Sequence, residues 1–153
     1  MELFNYPSTI AEQQSPPEVT LLADLSKDEW GKLLNLVESR RFHDGEKLIE
    51  AGDEDGSIYI LIKGAVDVVA ERDGSEIVLA TVSEGSVFGE IAFFDGSPRS
   101  ASVRARSDGS AVKISREKVE ELAMWEPKIA RKLLFDLGSI LAMRLRWTTR
   151  QAY

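Results

Sequence analysis

The spacing of apolar residues changes twice along the chain, and the first part has the spacing of a helix. Apolar residues recur there at three- and four-residue intervals: Trp30, Leu33, Leu34 and Val37. Before them, Ser26 and Glu29 stand at the spacing of a capping box, in which each side chain accepts a hydrogen bond from the other residue's backbone N–H. The pattern predicts a helix over about 26–38.

From Arg40 to Ser115, glycines separate short segments that are rich in Ile, Val, Leu and Phe. This punctuation is typical of short antiparallel strands. Eight strands are predicted, at about 39–43, 46–50, 57–63, 65–71, 76–82, 86–88, 100–106 and 110–115. Asp73-Gly74 lies between two alternating segments and predicts a hairpin turn, because both residues tolerate a positive φ.

After Ser115 the helical spacing returns, with Val119, Leu122 and Ala123 expected to face inward. Pro127 predicts a break and the start of a final helix over about 128–150, which is apolar on more than one face. The predicted fold is α+β and mainly β. It is an eight-stranded antiparallel jelly-roll barrel, or double-stranded β-helix, with an N-terminal helix and a C-terminal hinge-helix pair.

Length and composition favour one globular domain. The 153 residues are 43% hydrophobic and 29% charged, which is ordinary for a soluble protein. Residues 1–20 contain Pro7, Pro16 and Pro17 without periodicity and read as an irregular arm, so the domain is predicted over 21–153. No apolar run is long enough to span a bilayer, and the N-terminus lacks the pattern of a secretory signal. We therefore expect a cytoplasmic protein without a membrane partner.

Charge and residue counts argue against several classes of function. The net charge of −7 opposes general nucleic-acid binding, and the absence of cysteine excludes thiol catalysis and thiolate metal sites. His43 is the single histidine, too few for a metal-dependent barrel enzyme. Asp53-Glu54-Asp55-Gly56 resembles a calcium loop only superficially, because Gly64 occupies the twelfth position, where a bidentate acid is required. No catalytic residue, metal ligand or cofactor is predicted.

The stretch from Phe88 to Val103 carries the candidate chemistry. Gly89 and Glu90 begin a short apolar segment, and Arg99 follows a turn at Pro98. Backbone N–H groups at a helix start hold negative charge, and an arginine fork matches two phosphate oxygens. A nearby carboxylate can accept hydrogen bonds from sugar hydroxyls. The pattern favours a small anionic ligand.

This stretch resembles the phosphate-binding cassette of the cyclic nucleotide-binding domain family, which includes the catabolite activator protein and the regulatory subunits of protein kinase A. An upstream stretch has spacings similar to the family's second motif: Leu48-Ile49, Gly52-Asp53, Ile58-Tyr59-Ile60-Leu61 and Gly64. Asp55 departs from the family, which usually has a small residue there. The resemblance covers residues 21–150 and implies a set of ligand-binding residues, namely Gly89, Glu90, Ile91, Arg99, Ser100 and Ala101.

The resemblance also implies a role for each residue. Arg99 would pair with the exocyclic oxygens of the cyclic phosphate, and Glu90 would accept from the ribose 2′-hydroxyl. Backbone N–H groups near Gly89, Ile91 and the small residues after Arg99 would approach the phosphate. Two alternatives remain open: a structural salt bridge between Arg99 and an acid such as Asp95, and an ordinary helix-terminal acid at Glu90.

The resemblance also bears on the base of the ligand and on the lid over it. Ser100 does not distinguish cAMP from cGMP, and the expectation of cAMP rests on its prevalence in the family. Arg144, Arg146 and Trp147 on the last helix are lid candidates, because Trp stacks on a purine and Arg lies over its face. The alternative is a solvated basic helix end.

The function implied is a non-enzymatic sensor that passes ligand occupancy through the C-terminal helix to an effector protein or to a homodimer. The family's transcription factors carry a DNA-reading domain after this helix, whereas this chain ends at Tyr153, so nucleic acid is not expected as a partner. Two alternatives are an interaction protein that keeps the fold without the nucleotide and a metal enzyme of the cupin type.

Overall fold

A computed structural model describes Leu22 and residues 24–152, so the predicted arm over 1–20 lies outside the described residues. The described part holds four helices and eight strands, in this order: α1 (Lys27–Leu34), β1 (Glu38–Phe42), β2 (Lys47–Ile49), β3 (Ile58–Lys63), β4 (Val66–Arg72), β5 (Ser75–Val82), β6 (Val87–Phe88), α2 (Glu90–Asp95), β7 (Ser102–Ala105), β8 (Gly109–Ile114), α3 (Arg116–Trp125) and α4 (Pro127–Ala152).

The strands form two four-stranded antiparallel sheets, ordered β1-β8-β3-β6 and β2-β7-β4-β5. Strands that are neighbours in sequence mostly lie in different sheets, except β4 and β5, which form the predicted hairpin. Its turn residues Asp73 and Gly74 have φ of 54° and 77°, and Arg72 pairs with Ser75. The predicted eight-stranded jelly roll with an N-terminal helix and a C-terminal helix pair is confirmed.

The helix ends show where local sequence signals hold and where packing overrides them. The capping box is present, since Ser26 Oγ accepts from the Glu29 N–H and Glu29 Oε1 accepts from the Ser26 N–H, each at 3.1 Å. The predicted helix end at 38 is wrong, because α1 ends at Leu34. Leu36 and Val37 pack against the core, and the next residue already belongs to β1. Their burial requires the chain to leave the helical path.

The C-terminal helices begin where the sequence indicates. Ser115 Oγ accepts from the Lys118 N–H at 3.2 Å, and α4 starts at Pro127. Ala123 is exposed rather than inward-facing. Within the described part of the chain, no helix combines the length and the apolarity needed to cross a membrane.

The strand β3 separates two hydrophobic cores. Ile58 and Ile60 face a core shared with the helices, while Tyr59 and Leu61 face the interior of the barrel. Both sets are buried, which explains why this strand is a continuous apolar run. The segment that begins at Phe88, the last residue of β6, is anchored in both cores, because Phe88 belongs to the barrel core and Phe93 to the helix core. The candidate site is therefore attached to both layers.

Candidate anion-binding site

Two glycines give the candidate segment its shape. Gly89, with a φ of 81°, is the N-cap of α2, and Gly96, with a φ of 69°, is its C-cap. Both lie in the left-handed region, which glycine adopts without the steric cost of a Cβ. Glu90, the first residue of the helix, is buried, with 5% of its surface exposed. The turn at Gly89 thus directs an acid into the interior of the protein.

The loop between β2 and β3 holds the backbone of Arg99 on both sides. The Arg99 N–H donates to the Asp53 carbonyl at 2.8 Å, and the Arg99 carbonyl accepts from the Gly52 N–H at 2.8 Å. The guanidinium donates from Nη1 to the Gly89 carbonyl at 2.6 Å and from Nη2 to the Ser57 carbonyl at 2.5 Å. The Arg99 side chain therefore has a fixed position between two backbone oxygens.

Arg99 is buried, with 6% exposed, yet it has no carboxylate within salt-bridge distance among the described residues. Asp95 accepts from the Ser97 N–H at 2.8 Å instead. An arginine has five N–H donors, and two of them are used by the carbonyls. Burial lowers the pKa of the Arg99 guanidinium, and the charge of Asp55 is the largest influence in the opposite direction. A buried cation in this state is suited to receiving an anion from solvent.

Glu90 is paired with an arginine from the last helix. Arg144 on α4 donates from Nη1 to Glu90 Oε1 at 2.6 Å, and from Nη2 to the Val87 carbonyl at 2.8 Å and Ser86 Oγ at 3.2 Å. The two side chains are 19% and 7% exposed. One of the three lid candidates therefore lies at the candidate site, bonded to the acid rather than standing in solvent.

The other predicted residues follow Glu90 or Arg99 in the sequence. Ile91 and Ala101 are half-buried and Ser100 is exposed. The strand predicted over 100–106 begins two residues later, at Ser102, so the small residues after Arg99 belong to a loop.

The other two lid candidates have no such contact. Trp147 is half-buried and Arg146 is exposed. In the described part of the chain, neither makes a side-chain hydrogen bond or ion pair.

Sequence reasoning missed four buried hydroxyl residues: Ser57, Ser86, Ser102 and Thr148. Thr148 lies one helical turn after Arg144, and its Oγ1 donates to the Arg144 carbonyl at 2.9 Å. The four-residue spacing on one helix face was the available signal for Thr148. The serines carry no such signal. Ser86 Oγ and Ser102 Oγ bond to residues distant in sequence, Arg144 and Ala51, and Ser57 reaches the site through its backbone carbonyl, which accepts from Arg99.

The pairing of Glu90 with Arg144 predicts a loss of stability when Arg144 is removed. Arg144→Ala should lower the free energy of unfolding by about 3 kcal/mol, because a buried carboxylate loses its cationic partner. Arg146→Ala, two residues along the same helix but exposed, should change it by less than about 0.5 kcal/mol. Urea unfolding of both variants measures the difference, and equal losses would contradict the pairing.

The residues described by the structure contain no group of three or more His, Cys, Asp or Glu side chains placed to hold a metal ion. In the acidic loop over residues 50–57, Asp53 accepts from the Glu50 N–H at 3.3 Å and Asp55 accepts from the Ser57 N–H at 3.0 Å. These carboxylates stabilise the loop itself.

The sequence of the domain matches a known family. The sequence model described as the cyclic nucleotide-binding domain matches residues 39–124, which include both the acidic loop and the segment around Arg99. The chain belongs to the cyclic nucleotide-binding domain family.

Two relatives of the domain are regulators. This chain is 38% identical over 125 residues to the cAMP-activated global transcriptional regulator Vfr of Pseudomonas aeruginosa. The match covers 78% of this chain and 56% of Vfr. This chain is 33% identical over 105 residues to a cAMP-dependent protein kinase regulatory subunit of Emericella nidulans, covering 69% of this chain and 25% of that one. The chain thus spans about half or less of these relatives.

A solved structure of a cyclic nucleotide-binding domain from Methylobacillus flagellatus superposes with a TM-score of 0.78 at 26% identity. The superposition covers 86% of this chain and 74% of that one. The two-sheet barrel and its helices are therefore those of a cyclic nucleotide-binding domain.

Proposed function

We propose that this cyclic nucleotide-binding domain is a sensor that binds cAMP in preference to cGMP. The observation that carries the proposal is the buried guanidinium of Arg99, which is held by two carbonyls and has no carboxylate within salt-bridge distance in the described part of the chain. The preference for cAMP is supported by the description of Vfr, a relative with 38% identity, as cAMP-activated. In this proposal the phosphate of the ligand is the counter-ion of the Arg99 guanidinium.

Arg99 pairs with the exocyclic phosphate oxygens, through the N–H donors that its two carbonyl contacts leave over. Glu90 accepts the ribose 2′-hydroxyl, and the backbone around Gly89, Ile91 and the loop at Ser100 and Ala101 borders the sugar and phosphate. Glu90 has two carboxylate oxygens, so Oε1 can remain with Arg144 while Oε2 accepts from the ribose.

Two arginines provide a route from the ligand to the C-terminal helices. Arg144 connects Glu90 to α4, as described above. At the other end of α2, Arg116 Nη1 on α3 lies 3.4 Å from the carbonyls of both Phe93 and Phe94. A displacement of α2 by the ligand changes both contacts. The ligand shifts the helices only by its difference in affinity for their two arrangements.

The output of the sensor is passed to an effector protein or to a homodimer through α4. Its outer face exposes 40% of Leu134, 72% of Phe135 and 43% of Leu145. Large apolar side chains grouped on one helix are typical of an interaction surface. We assign the protein to the cytoplasm, with neither nucleic acid nor membrane as a partner of this domain. We also assign it to regulation rather than catalysis, because its two relatives are described as a transcriptional regulator and a protein kinase regulatory subunit.

A titration with cAMP and cGMP by calorimetry, with light scattering on the same samples, tests the proposal. We expect saturable binding with cAMP bound more tightly, and a change in scattering mass if α4 forms a dimer. Absence of heat with cAMP, cGMP and a cyclic dinucleotide would overturn the sensor function. A monomer mass with and without ligand would favour an effector protein over a homodimer.

The role of Glu90 predicts a specific response to the sugar. Wild-type protein should bind 2′-deoxy-cAMP more weakly than cAMP by about 1.5–3 kcal/mol, the value of a hydrogen bond to a charged group. Glu90→Gln should show a smaller difference between the two ligands, because its acceptor is neutral. Calorimetry with both ligands measures this, and equal affinity of the wild type for both would remove Glu90 from the ribose site.

A further inference from the structure

The acidic loop over residues 50–57 lies against Arg99, although its sequence suggests only a turn. It contacts Arg99 at three points: the Gly52 N–H and the Asp53 carbonyl bond the backbone, each at 2.8 Å, and the Ser57 carbonyl accepts from Nη2 at 2.5 Å. The position of the guanidinium therefore depends on the conformation of this loop.

One residue of the loop, Asp55, is bonded to Ser57, the residue whose carbonyl contacts the guanidinium. Its Oδ1 accepts from the Ser57 N–H at 3.0 Å and from Ser57 Oγ at 2.9 Å. Its Oδ2 pairs with Lys113 Nζ on β8 at 3.1 Å. Since the Ser57 carbonyl accepts from Arg99, a continuous set of contacts runs from β8 through Asp55 and Ser57 to the candidate anion site.

Asp55 also acts on Arg99 by its charge. Among the groups that oppose the effect of burial on Arg99, Asp55 is the strongest, ahead of Tyr59, Glu90 and Asp53. It does so without occupying an N–H donor of the guanidinium. Burial raises the pKa of Asp55, but the hydrogen bonds from Ser57 and Lys113 outweigh it, so the pKa lies below its usual value. Asp55 is thus ionised at neutral pH.

We infer that Asp55 is a positioning residue, which holds Arg99 in place through Ser57 while its negative charge limits the affinity of the site for an anion. The inference rests on the proposed function, in which the anion is the phosphate of a cyclic nucleotide. The two effects have opposite signs: loss of the hydrogen bonds weakens ligand binding, whereas loss of the charge alone strengthens it. A merely structural residue would have no variant that binds more tightly.

Two substitutions separate these effects. Asp55→Asn keeps an oxygen acceptor for Ser57 but removes the charge, so it should bind cAMP roughly two- to fivefold more tightly than wild type. Asp55→Ala removes both the oxygen acceptor and the charge, so it should bind cAMP more weakly than Asp55→Asn. Glu54→Gln, which removes the same charge from the adjacent exposed residue, should stay within about twofold of wild type.

Calorimetric titration of the full chain with cAMP compares the four proteins. If Asp55→Asn bound no more tightly than wild type, or if Glu54→Gln gained as much, the charge role would be overturned. If Asp55→Ala bound as tightly as Asp55→Asn, the positioning role would be overturned.

A ligand-free measurement distinguishes failure of this inference from failure of the proposed function. Asp55→Asn should lower the urea midpoint more in the wild-type background than in an Arg99→Gln background, because the charge of Asp55 stabilises the buried guanidinium. Equal decreases in both backgrounds would overturn the link between Asp55 and Arg99. If wild type failed to bind cAMP while the decreases still differed, the link would stand and the proposed ligand would be wrong.

Discussion

Replacing Arg99 with alanine should remove most of the affinity for cAMP. The expected loss is about 2–5 kcal/mol, or roughly 30- to 4,000-fold, because the charged phosphate would enter a buried site without its cationic partner. Arg144, which also lies at the candidate site, is already bonded to Glu90, Ser86 and the Val87 carbonyl and is not free to replace Arg99. Calorimetric titration of the variant with cAMP measures the loss.

Arg104→Ala is the matched control for this prediction. Arg104 lies five residues further along on β7, where it pairs with Glu76 and is 39% exposed. Its removal takes the same charge from the protein but leaves the candidate site intact, so cAMP affinity should change by less than about twofold. An Arg99→Ala protein that kept its affinity within threefold, while remaining folded by urea unfolding, would mean that the phosphate binds elsewhere.

Gly89→Ala should damage the site through the backbone and through Arg99 together. A Cβ at Gly89 would lie 2.8 Å from Arg99 Nη1 and 3.1 Å from the Ser57 carbonyl oxygen, and the φ of 81° is unfavourable for alanine. The backbone strain alone costs about 1–2 kcal/mol of stability. Because the guanidinium must also leave its position between the two carbonyls, cAMP affinity should fall on the order of tenfold or more.

The opposite end of α2 supplies the control. Gly96 has a φ of 69°, and a Cβ there would meet no atom within 4 Å. Gly96→Ala should therefore lose only the stability that backbone strain costs, about 1–2 kcal/mol, with unchanged cAMP affinity. Urea unfolding and calorimetry on both variants separate strain from displacement of Arg99. An unchanged affinity in Gly89→Ala would mean that the exact position of the guanidinium does not matter for binding.

The elements of the fold could be predicted from the sequence because their signals are local. Ser26 and Glu29 form their capping box, Asp73-Gly74 forms its hairpin, and Pro127 starts α4. Where tertiary packing competes with local preference, the prediction fails. Leu36 and Val37 continue the helical pattern of α1, yet both pack into the core. Periodicity alone does not show which of two elements a buried residue belongs to.

The residues of the candidate site could be named from the sequence, but their partners could not. Glu90 and Arg99 were identified by their place in the segment from Phe88 to Val103. The contact of Glu90 with Arg144 joins residues 54 positions apart, and that of Arg99 with Ser57 joins residues 42 positions apart. Such contacts depend on how the barrel and α4 pack together. Asp55 likewise gains its importance only from the loop geometry that brings Ser57 to Arg99.

A crystal structure of the chain with cAMP tests the central claim most directly. The account predicts exocyclic phosphate oxygens at about 2.7–2.9 Å from the Arg99 guanidinium nitrogens, with the ribose 2′-hydroxyl on the Glu90 carboxylate. A nucleotide bound away from Arg99, with the guanidinium still contacting only the carbonyls of Gly89 and Ser57, would contradict it.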